Sequence, residues 1–147
     1  ITTPRIARSF ANGMEYFNTF GGNPVSCAAG LAVLDVLEDE RLRAHASMVG
    51  NHLIGRLRHL ADRHSTIGEV RGRGLFIGID LIADESLTPA TELASATTEA
   101  LRQRGILISA DGPYANVLKI KPPMVISSAQ ANALVDALDD ALANAPG

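Results

Sequence analysis

The sequence is short of several residue types, and each shortage excludes a class of protein. Its 147 residues include one cysteine and no tryptophan, and only 4% are aromatic. The single cysteine, Cys27, rules out an internal disulfide and favours a reducing compartment, for which we take the cytoplasm. The longest apolar run, residues 27–34, ends at Asp35 and is shorter than the ~20 residues of a membrane span. We therefore expect no membrane partner.

Charge is nearly balanced, and lysine is rare. Thirteen basic residues against sixteen acidic ones give a net charge of −3, which excludes the basic footprint of a protein that binds nucleic acid non-specifically. We expect no nucleic acid partner. Only Lys119 and Lys121 are lysines, so chemistry that needs an amine nucleophile has two candidates. The hydrophobic fraction of 46% is enough for one packed core.

The hydrophobic periodicity predicts an α+β fold, with a short sheet of three to four mostly antiparallel strands covered by helices. Asn23 and Pro24 predict the start of one helix, Ser127 and Gln130 form a capping-box pattern at the start of another, and Gly105 ends a third. Helices are predicted at 25–38, 41–64, 88–104 and 127–144, with a short one near 6–10; strands are predicted at 67–71, 75–82, 106–109 and 116–121.

Residues 18–24 form a candidate anion site. Thr19 supplies a hydroxyl, the Gly21-Gly22 pair lets the backbone turn, and a helix N-terminus follows at Asn23-Pro24. Unpaired amides and the helix dipole favour negative charge at such a place. A glycine turn in front of a capped helix explains the same residues, and composition alone favours this second interpretation.

Several other polar residues have a structural and a functional interpretation. Arg71 and Arg73 flank Gly72 and fit either a basic hairpin tip or solvated arginines at a tight connection. Lys119 and Lys121 share one face of a strand, where they could meet a substrate anion or guard an exposed edge.

Cys27 and the histidines favour structural roles. Cys27 is predicted to be a buried packing residue. The histidines at 45, 52 and 59 are too far apart on one helix to share a metal ion, so we predict a solvated helix edge and no metal site.

Three segments together resemble the class III aminotransferases, which have the pyridoxal-phosphate fold type I. They occur in the family's order and cover most of the chain. They are residues 17–37 (FNTFGGNPVSCAAGLAVLDVL), 68–81 (GEVRGRGLFIGIDL) and 105–125 (GILISADGPYANVLKIKPPMV).

The resemblance implies a cofactor, a partner and site residues. The cofactor is pyridoxal 5'-phosphate, and Thr19 is expected to reach into the neighbouring subunit and bind the cofactor phosphate, with Phe20 and Gly21 beside it. The active sites are then shared in a homodimer that acts on a small amine or amino acid. The family's catalytic lysine, which holds the cofactor as a Schiff base, lies upstream of this loop, so this chain contains no catalytic residue.

Lys119 departs from the commonest family pattern. Many members have arginine here, and its planar fork binds a substrate carboxylate through two hydrogen bonds. The phrase NVLKIKPPM, residues 116–124, is more similar to the branch that includes the ethanolamine-phosphate phospho-lyases. We assign Lys119 to a substrate anion, and the departure favours a phosphorylated amine as the alternative to an ordinary amino acid.

The resemblance also implies a division of the chain. Residues 1–40 correspond to the end of the cofactor-binding large domain and a long connecting helix, and residues 41–147 to the C-terminal small domain. We therefore expect a C-terminal fragment of an aminotransferase, inactive alone. The alternatives are a fragment of a phospho-lyase, a non-catalytic dimerisation or interaction module, and a scaffold domain without a site.

Overall fold

The computed structural model describes residues 2–145, and contacts divide the chain into two units, Ile1–Asp35 and Val36–Gly147. The described part contains five helices and four strands, which confirms the predicted α+β fold. The helices are α1 (Pro4–Phe10), α2 (Pro24–Asp39), α3 (Leu42–Ala61), α4 (Thr91–Gln103) and α5 (Ser128–Ala143); the strands are β1 (Ile67–Arg73), β2 (Phe76–Leu81), β3 (Ser109–Asp111) and β4 (Val117–Ile120).

The first unit contains α1, a loop and most of α2. The side chain of Thr3 caps α1, and the side chain of Asn23 accepts a hydrogen bond from the Ser26 amide at the start of α2. The predicted cap at Asn23 is therefore confirmed. Every described residue from Thr2 to Val36 is exposed, so this unit has no core of its own.

The second unit contains one antiparallel sheet with the strand order β1-β2-β4-β3. Strands β1 and β2 form a hairpin whose end pair is Arg73 and Phe76. Gly74, at φ +57°, occupies the left-handed region in the two-residue turn between them, a conformation that glycine adopts without steric cost. The hairpin that the sequence left open is thus confirmed, with a shorter turn than expected.

One face of the sheet carries the core. Side chains alternate along β2 and β4, so that Ile77, Ile79, Leu81, Leu118 and Ile120 are all buried. They form one hydrophobic cluster with the apolar faces of three helices. From α3 the cluster takes Val49, Leu53, Ile54, Leu57 and Leu60, from α4 Ala94 and Leu101, and from α5 Ala131, Leu134, Val135, Leu138 and Leu142.

The end of α4 follows its sequence signal, whereas its start does not. Gly105, at φ +77°, donates to the carbonyl of Arg102, and Ile106 donates to that of Leu101, which is the Schellman arrangement. The predicted start at 88–89 is wrong, because Pro89 forms a β-bridge with Ile82 and α4 begins at Thr91. The strand predicted at 106–109 is displaced to β3, since Ile106 completes the helix cap.

Helix α3 packs closely on the hairpin through a pair of glycines. A Cβ at Gly50 would lie 2.7 Å from the Cα of Gly74, a distance that real side chains do not reach. By contrast, a Cβ at Gly55 on the same helix would meet no atom within 4 Å. Glycine is therefore required at position 50, because the backbones of α3 and the hairpin turn come into direct contact there. This contact fixes where along α3 the hairpin packs.

Candidate active site

The first candidate segment is the turn from Asn18 to Asn23, and two of its amides, those of Phe20 and Gly21, are already bonded. The side-chain oxygen of Asn18 accepts from the amides of Phe20 and Gly21, each at 3.1 Å. Gly22 has φ +72° and open space around it. Asn18 therefore occupies the amides that the sequence assigned to an anion.

Thr19 is the residue of this turn that fits a phosphate group. It is exposed, and a hydroxyl can donate to a phosphate oxygen. A phosphate dianion accepts several hydrogen bonds, so one hydroxyl satisfies only part of it. The Thr19 hydroxyl could hold a phosphate only together with other donors, and the amides of Phe20 and Gly21 are available only if the Asn18 side chain turns away.

The second candidate segment is the face of the sheet opposite the core. Arg71 pairs with Gly78, Gly78 with Lys119, and Lys119 with Ser109. Residues paired directly across strands share a face, so these four form one row across the sheet. Because Gly78 has no side chain, the row has a gap between the guanidinium of Arg71 and the ammonium of Lys119.

A groove of about 460 Å³ lies over this gap. Arg71 and Lys119 contribute to its lining, together with Gly78 and Val117. A Cβ at Gly78 would approach Val117 Cγ1 to 3.3 Å and Arg71 Nε to 3.9 Å. The glycine thus provides the floor of the groove, and two cations and a valine provide its walls.

Lys119 is paired with an acidic residue of the neighbouring strand. Its Nζ lies 2.5 Å from Oδ2 of Asp111, and Oδ1 of Asp111 accepts from the Gly112 amide at 2.9 Å. The hydrogen bond from Lys119, followed by that from Gly112, lowers the pKa of Asp111 below its ordinary value. The carboxylate of Asp111 is therefore charged at neutral pH, and the pair joins β3 to β4.

Arg71 is held more firmly, by two carboxylates. It donates to both oxygens of Asp80 and, at 2.7 Å, to Glu69. The hydrogen bond to Asp80 is the largest influence and raises the pKa of Arg71 above its ordinary value; burial, the next largest, lowers the pKa, and the hydrogen bond to Glu69 raises it. The fork of Arg71 is thus oriented by its own strand and by β2. Its exposed neighbour Arg73 has no ion pair among the described residues.

Two predicted roles outside these segments need correction. Cys27 is exposed, because α2 buries none of its residues within the chain. The predicted solvated edge is confirmed for His52 and His59, which are exposed, whereas His45 and His64 are partly buried. His45 bonds the Ile126 carbonyl at 2.8 Å, His52 bonds Asn132 at 2.8 Å, and His64 bonds Asp139 at 2.7 Å. These three histidines link α3 and the residues that follow it to α5 and to Ile126, two residues before α5.

Sequence reasoning missed two residues that shape the groove. Asp111 has no distinguishing signal in the sequence, because its position two residues from the pair partner of Lys119 becomes visible only with the register. Asn116 is buried, and its side chain donates to the backbone carbonyl of Leu81 at 2.9 Å. In return, the Leu81 amide donates to the backbone carbonyl of Asn116. This double link fixes the start of β4, and so the register of Lys119.

The comparisons with known proteins identify the family. The family described as Aminotransferase class-III matches residues 1–142, nearly the whole chain. The chain belongs to the class III aminotransferase family. Its structural neighbours are fold type I aminotransferases, and the resemblance inferred from the three segments is confirmed.

Relatives in this family carry two kinds of name. The chain is 45% identical over 140 residues to alanine-glyoxylate aminotransferase 2 homolog 2 of Arabidopsis thaliana, a mitochondrial protein, and covers 29% of it. It is 46% identical over 143 residues to ethanolamine-phosphate phospho-lyase homolog 1 of Caenorhabditis elegans and covers 31% of it. These matches include 95% and 96% of this chain.

Solved structures show the same pair of activities. A phospholyase from Arthrobacter in complex with phosphoethanolamine superposes with a TM-score of 0.90 at 46% identity, over 99% of this chain and 35% of that one. An aminotransferase from Bacillus anthracis superposes with a TM-score of 0.85 at 32% identity, over 97% of this chain and 34% of that one. The chain thus spans about a third of the length of its family relatives.

Proposed function

We propose that the protein to which this chain belongs is a pyridoxal-phosphate-dependent aminotransferase, which transfers an amino group between an amine or amino acid and a keto acid. The observation that carries the proposal is the family match over residues 1–142. Lys119 lies in β4 and Lys121 directly after it, whereas the lysine that anchors the cofactor in this family is expected upstream of residues 18–24. The amine that anchors the cofactor therefore comes from outside this chain. We propose that the chain is inactive alone.

Within this chain, Thr19 is the proposed contact to the cofactor. The cofactor, when bound, supplies an electrophilic carbonyl and an electron sink for the amine substrate. The exposed hydroxyl of Thr19 donates to the cofactor phosphate, and the turn made by Phe20 and Gly21 stands beside it. The absence of a core in the first unit supports a site completed by other parts of the protein, as in a homodimer with shared active sites.

Lys119 is the proposed contact to the substrate. Its ammonium reaches the groove from the sheet face opposite the core, where Gly78 leaves room for a small anionic group. An ammonium is a point charge with three donors, whereas a guanidinium offers a planar fork. Lys119 therefore binds an anion without the geometric match that an arginine makes to a carboxylate.

This absence of a fork favours a second candidate function, that of a phospho-lyase acting on a phosphorylated amine. A phosphate group presents oxygens in several directions, so a point charge serves it as well as a fork does. The phospholyase structure described above shares 46% identity with this chain and was solved with phosphoethanolamine. Elimination would release phosphate and ammonia, and the amino group would not pass to a keto acid.

An assay of the full-length, cofactor-loaded protein separates the two functions. Each of two amine donors, L-alanine and O-phosphoethanolamine, is supplied with a keto acid, and both the aminated acid and inorganic phosphate are measured. Stoichiometric amination without phosphate release supports the aminotransferase. Phosphate release that does not need the keto acid supports the phospho-lyase. A full-length protein that takes up no cofactor would favour the non-catalytic interaction module.

The oligomeric state and location are part of the proposal. Sedimentation of the full-length protein is expected to give a dimer, and a monomer with full activity would contradict the shared sites. No helix in residues 2–145 is both long and apolar enough to span a membrane. Two of the relatives are named as mitochondrial, so the cytoplasmic location stays a prediction, which imaging of a tagged full-length protein would test.

The division into a large-domain end at 1–40 and a small domain at 41–147 is likewise retained as a proposal. The contacts divide the chain at Asp35, within α2, a few residues before the proposed boundary. Limited proteolysis of the full-length protein near the end of α2 tests it. Cleavage there that leaves 41–147 intact supports the division, and a cut first appearing inside α3 opposes it.

A further inference from the structure

Asp111 holds the ammonium group that the proposed function assigns to the substrate. Register explains the contact. Lys119 pairs directly with Ser109 and Gly78, both small, while Asp111 pairs with Val117. Asp111 and Lys119 are therefore diagonal neighbours on one sheet face, a separation that a long side chain can bridge. Nζ of Lys119 donates to Oδ2 of Asp111 in a charge-assisted hydrogen bond.

The two cations that line the groove are already paired with carboxylates. Arg71 and Lys119 are positive, and their partners Glu69, Asp80 and Asp111 are negative. These five side chains together carry one more negative charge than positive. Each cation of the groove already has a carboxylate partner, so an anionic substrate that binds there either shares its cation with that carboxylate or displaces it.

Lys119 is the cation for which exchange is easiest. Arg71 would have to leave two carboxylates, whereas Lys119 leaves one. The side chain of Asp111 is 56% exposed, against 26% for Asp80, so water can solvate the Asp111 carboxylate once it is released. Its other oxygen keeps the hydrogen bond from Gly112. Exchange at Lys119 thus requires no loss of the turn that follows β3.

We propose that Asp111 competes with the substrate for the ammonium of Lys119, and that this competition sets how strongly the enzyme selects substrates that carry an anionic group. The proposal rests on the proposed function at Lys119. The anionic group is a phosphate or a carboxylate, which share the chemistry that an ammonium recognises. Asp111 is accordingly a specificity-determining residue that acts through Lys119.

The test is Asp111→Asn in the full-length, cofactor-loaded enzyme. An exposed ion pair is weak, so removal of the competing charge should lower the KM for an anionic amine by only about two- to fivefold. O-Phosphoethanolamine and L-alanine are measured in separate arms, which distinguish phosphate from carboxylate. Ethanolamine, which has no anionic group, should show an unchanged KM. Inorganic phosphate, titrated by calorimetry, should bind more tightly by the same factor, independently of turnover.

Two controls make the result specific. Asp62→Asn makes the same change of charge at an exposed position just after α3, outside the groove lining, and should leave every KM unchanged. Lys119→Gln should raise the KM for the anionic amine, and in the double variant Asp111→Asn should have no further effect. Circular dichroism spectra that match the wild type show that each variant is folded.

The outcomes distinguish failure of the Asp111 competition from failure of the proposed role of Lys119. If Lys119→Gln weakens binding of the anionic amine while Asp111→Asn leaves it unchanged or weaker, the competition is overturned and Lys119 keeps its proposed role. If Lys119→Gln has no effect on any anionic amine, both the role of Lys119 and the competition fail. Tighter binding in Asp111→Asn that disappears in the double variant supports the inference.

Discussion

His64 and Asp139 join two helices that are distant in the sequence, with 2.7 Å between Nε2 of His64 and Oδ1 of Asp139. His64 follows the end of α3, and Asp139 lies in α5. The second carboxylate oxygen of Asp139 pairs with Arg63 at 2.7 Å. The hydrogen bond from His64, followed by that from Arg63, lowers the pKa of Asp139 below its ordinary value of 3.8.

This pair predicts a pH dependence at low pH. Because the pKa of Asp139 is lower in the folded protein, the carboxylate stabilises the fold above its unfolded pKa, and this stabilisation is lost as pH falls through the folded pKa. In Asp139→Asn, protection of the α3 and α5 amides from hydrogen exchange should decrease at pH 7, by about 1 kcal/mol or less. The difference from wild type should shrink below about pH 4. A difference that stays constant down to pH 3 would oppose this role.

The contact between Gly50 and Gly74 predicts opposite effects for two alanine substitutions on one helix. Gly50→Ala places a methyl group against the hairpin backbone, so α3 must shift, at a cost of about 1–3 kcal/mol or more. Gly55→Ala meets open space and should stabilise the helix by about 0.5–1 kcal/mol. Hydrogen exchange of the full-length protein measures both. Equal effects of the two substitutions would show that the close approach is absent.

Thr97 predicts a stabilising substitution. Its hydroxyl is buried in α4 and has no hydrogen-bond partner among the described residues. Valine has nearly the same shape, and burial of an unsatisfied polar group costs about 1–3 kcal/mol. Thr97→Val should therefore raise the melting temperature of the full-length protein. A lower melting temperature would show that the hydroxyl has a partner after all. Thr98→Val, which removes a hydroxyl bonded to the Ser95 carbonyl, is the matched control and should give no gain.

The capping box at the start of α5 predicts a difference between adjacent serines. Ser127 accepts from the Gln130 amide, and the Gln130 side chain accepts from the Ser127 amide. Ser127→Ala should weaken the first turn of α5 by about 1 kcal/mol, measured as faster hydrogen exchange there. Ser128→Ala removes a hydroxyl with no such role and should have little effect. Equal exchange in both variants would contradict the cap.

Thr19 predicts a loss of cofactor affinity. Thr19→Ala in the full-length protein should weaken binding of pyridoxal phosphate by about 1–3 kcal/mol, the value of one hydrogen bond to a charged group. Thr19→Ser keeps the hydroxyl and should retain most of the affinity. The dissociation constant is measured from cofactor absorbance during dialysis. An unchanged constant in Thr19→Ala would remove Thr19 from the cofactor site.

The sequence predicted best those features that depend only on residues a few positions apart in the chain. Asn23, Ser127 with Gln130, and Gly105 each cap a helix with hydrogen bonds that span only a few residues, and all three were correctly placed. The alternation along β4 correctly separated the face of Lys119 from the face that is buried in the core. These signals need no knowledge of the rest of the molecule, because the groups that satisfy one another are neighbours in the chain.

Features that depend on partners far along the chain were missed. The extended conformation at Pro89 comes from its bridge to Ile82 and overrides a local helix signal. The roles of His64 and Asp111 depend on which residues face them from other elements, and a single sequence does not contain that register. The sequence predicted a substrate contact at Lys119 because lysine departs from the arginine common in the family. Asp111, its proposed competitor, shows no such departure in the sequence.

The order of strands in the sheet has a consequence for how the second unit folds. The β1–β2 hairpin closes over a two-residue turn, so its loop-closure entropy is small. The β2–β4 pairing instead encloses all of α4, and its closure must wait until that helix has docked. We therefore expect the hairpin and α3 to form the folding nucleus, with β4 and β3 added late. On this pathway, the groove that holds Lys119 is among the last parts of the protein to assemble.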